Sequence, residues 1–130
     1  MKPILIIEDD PALRRLLVEV TQEAGYETME AANGDKALRI LTEHPFALVI
    51  TDIFMPDGDG FYVMREMRRL RIVTPVIAMT GGVKGIDTDL LLETATLLGA
   101  ATVLPKPFLP SELTQAIHAL LQKETLRSAS

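Results

Sequence analysis

Apolar residues along this chain fall into two patterns that alternate from one end to the other. The first is a short run with few polar interruptions, at residues 4–7, 46–50, 75–79 and 102–104. The first three, rich in Ile, Val and Leu, predict buried strands, as in a parallel sheet, and 102–104 predicts a short last strand. A weaker segment at 26–31 mixes Tyr26, Thr28 and Met29 with Glu27 and Glu30, which places it at a sheet edge. The second pattern repeats at threes and fours and predicts amphipathic helices. In the first helix Leu13, Leu16, Leu17 and Val20 face inward, with Arg14, Arg15, Glu19 and Gln22 facing out. Ala37, Leu38 and Leu41 mark a second helix over about 34–43. Phe61, Val63, Met64, Met67 and Leu70 mark a third, ending near Arg71. Over about 87–98 a core stripe of Leu90 or Leu91, Thr94, Leu97 and Leu98 leaves at least one of Leu90, Leu91 and Leu92 facing outward. Leu113, Ala116, Ile117, Leu120 and Leu121 form the inward face of the last helix.

Punctuation supports these boundaries. Asp10 is placed to cap the first helix, with Pro11 where a first turn tolerates it, and Gly25 ends it. Asn33-Gly34 turns into the second helix, and Asp87 or Thr88 caps the fourth, which stops at Gly99. Strands and helices therefore alternate, which implies parallel βαβ crossovers and an α/β three-layer sandwich.

With 130 residues, one domain over 1–125 is expected, with 126–130 a frayed tail. A net charge of −5 with no basic run argues against a nucleic-acid surface. The absence of Cys excludes disulfides, thiolate metal sites and Cys nucleophiles. The apolar start is too short for a signal segment or a membrane span, so a cytoplasmic protein without membrane attachment is expected.

The polar residues that matter stand where the strands end. Glu8, Asp9 and Asp10 follow the first strand, Asp52 the third, Thr80 the fourth and Lys106 the fifth. Singly each is ordinary: a helix cap, a loop acid, a turn former, a surface charge. In a parallel sheet, however, all these ends share one rim, and ligands of open α/β sheets bind there. Glu8, Asp9 and Asp52 crowded together would repel unless a cation intervened. Hard oxygen ligands suit Mg²⁺, which leaves room for a phosphoryl oxygen. A hydroxyl and an ammonium beside it can stabilise the other phosphoryl oxygens, and the remaining carboxylate can act as nucleophile.

Glu8-Asp9-Asp10-Pro11, the stretch from Asp52 through Met55-Pro56 to Gly60, Thr80, and Lys106-Pro107-Phe108 together resemble the receiver domain of two-component response regulators. The match covers nearly the whole chain in the right order. The resemblance implies a flavodoxin-like fold with strand order 2-1-3-4-5. It implies that Asp52 accepts a phosphoryl group from a sensor histidine kinase or a histidine phosphotransfer protein. Asp9 would be the direct Mg²⁺ ligand and Glu8 would act mainly through water, with Asp52 and the Phe54 carbonyl completing the protein's share. Thr80 would be the switch hydroxyl, and Lys106 would bind phosphate beside a cis Lys106–Pro107 peptide. Such a domain is a switch that catalyses its own phosphorylation and dephosphorylation, not an enzyme with a separate substrate. Its fourth helix, fifth strand and fifth helix would form the face for an output partner or a homodimer.

Three features depart from the family pattern. Val103 stands where an aromatic ring is usual, the segment between Thr80 and Gly99 is longer than usual, and Pro105 precedes Lys106. They leave the phosphorylation chemistry intact and bear on how a signal leaves the site. A phosphoaspartate hydrolase would need a second Asp two residues after the nucleophile, where Phe54 stands. The sequence fits a stand-alone receiver or a fragment of a longer regulator.

Overall fold

The computed structural model describes residues 2–53, 60–81 and 87–129. Strands and helices alternate as β1 (Ile4–Ile7), α1 (Pro11–Glu23), β2 (Thr28–Ala31), α2 (Gly34–Glu43), β3 (Leu48–Asp52), α3 (Gly60–Arg69), β4 (Val76–Thr80), α4 (Thr88–Leu97), β5 (Thr102–Pro105) and α5 (Pro110–Ala129). The five strands form one parallel sheet of order β2-β1-β3-β4-β5, as expected. α5 is helical to Ala129, past the start of the tail expected to fray.

The period of two within each strand splits the core into two layers. Leu5, Ile7, Val49 and Ala78 pack on one face with Ala37, Leu41, Val63, Met67 and Ala95 from α2, α3 and α4. Ile4, Ile6, Leu48, Ile50, Ile77 and Met79 pack on the other with Leu17, Leu113 and Ile117 from α1 and α5. Both faces being covered, the central strands read as unbroken apolar runs. A hydrogen bond of 2.7 Å between Tyr26 Oη and His118 Nδ1 ties α5 to the approach of β2.

Several boundaries and faces differ from expectation. β3 begins at Leu48 and continues to Asp52, because Ile4 pairs with Leu48 and Asp52 with Met79. Leu16 is 49% exposed: α1 seats Leu17 and Thr21, leaving Leu16 at the edge of its stripe. Leu70 is also exposed, because α3 ends at Arg69 and Arg71 takes φ 60° to turn the chain away. In α4 the inward residues are Leu91 and Ala95, one helical turn apart. Leu90 and Leu97, seven apart and so on a common face, point outward at 57% and 78% exposure. The placement of Leu97 in the core stripe is thereby corrected.

Candidate functional site

Parallel pairing determines which side chains meet at the carboxyl rim. Ile7 pairs with Thr51, so Glu8 and Asp52 leave adjacent strands side by side. Thr80 pairs with Pro105, and the Lys106 amide donates to the Thr80 carbonyl at 2.7 Å, which sets Lys106 beside the same rim. Carboxylate oxygens of Glu8, Asp9 and Asp52 lie within 4.8 Å of one another. Lys106 Nζ donates to Asp52 Oδ2 at 3.0 Å and stands 3.9 Å from Glu8 Oε2. The Lys106–Pro107 peptide is cis. Glu8, Asp52 and Thr80 are buried, whereas Asp9 is exposed. Thr80 Oγ1 donates to the carbonyl of Gly81 at 3.3 Å. The Phe54 carbonyl and the Met55-Pro56 turn lie outside the described residues, as does most of the glycine-rich segment after Gly81.

Electrostatic strain concentrates on Glu8. Burial pushes its carboxyl up to about 7, and the neighbouring Asp52 charge pushes the same way. Lys106 opposes both, while a hydrogen bond to Asp52 favours the protonated carboxyl. The Asp10 amide donates to Oε1 at 3.4 Å, which favours the ionised form. Glu8 Oε2 is buried and has no hydrogen-bond partner among the described residues. A buried carboxylate oxygen with no hydrogen bond and only a 3.9 Å ion pair to Lys106, beside two more acids, belongs to a donor set suited to a small hard cation.

Two residues of the site were not legible as such. Arg14, expected to face solvent, donates from Nη1 to the Glu8 carbonyl at 2.8 Å and from Nε to Glu30 Oε1 at 3.1 Å. Glu30 at the end of the edge strand was the available signal: it faces the first turns of α1 and offers an arginine a partner. Gly60 opens α3 against the Asp52 backbone, where a Cβ would collide with the Asp52 carbonyl oxygen. Its amide donates to the Ile53 carbonyl at 2.8 Å, so α3 begins hard against the end of β3.

Fold and rim together define a doubly wound α/β domain with an acidic centre at the carboxyl ends of its strands. The chain belongs to the response regulator receiver domain family, whose model matches residues 4–118. It is 35% identical over 126 residues to a probable transcriptional regulator, ycf27, of Cyanidium caldarium, covering 97% of this chain and 49% of that protein. A receiver domain protein from Methanospirillum hungatei JF-1 superposes with a TM-score of 0.86 at 26% identity, over 98% of both chains. The receiver domain of a signal transduction histidine kinase from Syntrophus aciditrophicus gives 0.82 at 30% identity, over 95% of this chain and 92% of that one. The chain spans about half the length of the curated relatives it matches.

Proposed function

We propose that this receiver domain is a phosphorylation switch in which Asp52 accepts a phosphoryl group from a phosphohistidine donor. The observation that carries this reading is the convergence on Asp52: an ammonium 3.0 Å from Oδ2, with buried Glu8 and exposed Asp9 alongside. An Asp52 oxygen attacks phosphorus, an acyl-phosphate O–P bond forms, the P–N bond to the donor imidazole breaks, and the released imidazole takes up a proton. Lys106 holds the nucleophile before transfer and afterwards balances charge on the phosphoryl oxygens. Thr80 offers its hydroxyl to another of those oxygens. Mg²⁺, held by Glu8, Asp9 and Asp52 with the Phe54 carbonyl, would supply the charge that lets the acids approach a phosphoryl group. The domain acts on itself and has no separate substrate.

The donor surface adjoins this rim. A groove of about 370 Å³ runs between Leu13, Leu16 and Val20 of α1 and Pro107, Phe108 and Pro110, ending at Lys106. A helix of a histidine kinase or histidine phosphotransfer protein seated there would bring its phosphohistidine to Asp52. Arg14 is engaged within the fold, which leaves Leu16 and the exposed Arg15 as the contacts on this side. Leu90 and Leu97 present an apolar face for an output partner or a second copy. Among the described residues no helix is long and apolar enough to cross a membrane.

Acetyl phosphate with Mg²⁺ should phosphorylate the wild type and leave Asp52→Ala unmodified, read by intact-protein mass spectrometry. Modification of Asp52→Ala at the wild-type rate would refute the assignment. Leu16→Asp should slow transfer from a histidine phosphotransfer protein but not from acetyl phosphate.

A further inference from the structure

The Arg14 guanidinium joins three elements at the acid end of β1. It reaches from α1 to the Glu8 carbonyl at 2.8 Å and to the Glu30 carboxylate of β2 at 3.1 Å. At that point β1 has left its ladder. The paired residues end at Ile7, and the Glu8 amide makes a last bond to the Ala31 carbonyl at 3.1 Å. The Glu8 carbonyl, one atom group further on, is oriented by Arg14. The peptide plane carrying that carbonyl also carries the amide nitrogen of Asp9. Its tilt therefore sets the direction in which the Asp9 side chain leaves the backbone. Asp9 is exposed, unlike Glu8 and Asp52, so burial holds it less firmly than its two neighbours.

We propose that Arg14 is a positioning residue for divalent-cation binding. By clamping the Glu8–Asp9 peptide, it keeps the Asp9 carboxylate in register with those of Glu8 and Asp52. The inference rests on the reading of this rim as a Mg²⁺ site and deepens it. Arg14 acts through the backbone and touches neither the cation nor the phosphoryl group.

Charge and geometry make opposite predictions, which gives the test its sign. The guanidinium brings a positive charge to the acid end of β1 and so repels an arriving cation, and deleting its charge alone would tighten Mg²⁺ binding. Losing the clamp would weaken it, as loss of groups that orient metal ligands does.

The experiment is a calorimetric Mg²⁺ titration of the whole 130-residue chain, without phosphodonor and below the melting transition of each variant. Arg14→Met should bind Mg²⁺ about 10-fold more weakly than wild type. Arg14→Lys should fall between the two, since an ammonium can still donate to the Glu8 carbonyl. With acetyl phosphate, the rate deficit of Arg14→Met should vanish at saturating Mg²⁺. Equal or tighter Mg²⁺ binding in Arg14→Met overturns the inference, as does a rate deficit that saturating Mg²⁺ leaves in place. Should Arg14→Met fail to fold, Arg14→Lys decides: affinity at or above wild type overturns the inference. A wild type that takes up no Mg²⁺ refutes the reading of the site itself.

Discussion

Gly60 lies against the carbonyl of Asp52 so closely that no Cβ fits between them. The residue that opens α3 thus sets where the proposed phospho-acceptor's backbone comes to rest. Gly60→Ala should displace one or the other, at a cost of about 1–3 kcal/mol typical of overpacking. Its urea midpoint should fall, and acetyl phosphate should label it more slowly even well below the transition. A variant with unchanged stability and rate would show that the Asp52 backbone yields freely.

Glu8 should impose a pH dependence on the metal-free protein. Its carboxyl is raised from 4.5 to about 7 in the fold, so between those values the native state binds the proton more tightly than the unfolded chain. This contribution to stability is therefore full below about pH 4.5, is lost as pH rises towards 7, and changes little above. Denaturant melts in EDTA should show stability falling across that window, Glu8→Gln should remove the slope, and Mg²⁺ should flatten it. A flat profile in EDTA would contradict the burial of an ionisable Glu8.

Lys106 is the ammonium that contacts both buried acids of the rim, at 3.0 Å from Asp52 and 3.9 Å from Glu8. Lys106→Met should lower the stability of the metal-free protein at neutral pH, because its ion pair with buried Asp52 is lost. The same change should tighten Mg²⁺ binding, since one competing cation is gone. Phosphorylation should nevertheless slow, for want of charge on the phosphoryl oxygens. Calorimetry and acetyl phosphate labelling separate the two opposite effects.

In α4 two leucines of the same helix should respond differently. Leu91→Ala, at a buried position, should destabilise by about 2–5 kcal/mol. Leu97→Ser, at 78% exposure, should stay within about 0.5 kcal/mol of wild type. Paired denaturant curves check this. A large loss at Leu97 would mean that the face is already covered, for instance by a second copy.

The meeting of Glu8, Asp9, Asp52 and Lys106 was legible because strand ends in a parallel sheet fall on one rim, and the Asp10 cap because Pro11 follows it, whereas the strand order came with the family resemblance and the structure chose Asp87 over Thr88 as the cap of α4. Faces were harder. Leu16 and Leu17 differ by a single helical step, and periodicity cannot say which of two adjacent leucines meets the sheet. Leu97 fits the helical spacing, yet Ala95 is the residue that packs, because a small side chain lets α4 approach the sheet closely. Arg14 shows the limit most clearly. A pattern of inside and outside assigns arginines outward, whereas this one turns back to a carbonyl, a partner that leaves no mark in the sequence.

The hydroxyl of Thr80 is held by the carbonyl of the next residue, at 3.3 Å and within one peptide. That is a long bond to a neutral acceptor, made without any distant part of the chain. A phosphoryl oxygen on Asp52 would offer the same proton a charged acceptor, and such bonds are about twice as strong. The difference between the two acceptors would limit how far phosphorylation, as proposed, could tilt this domain between conformations. A gap of about 1.4 kcal/mol amounts to a tenfold change in their ratio. Thr80 would then act as a balance with a light resting weight, one that a single new charge is enough to tip.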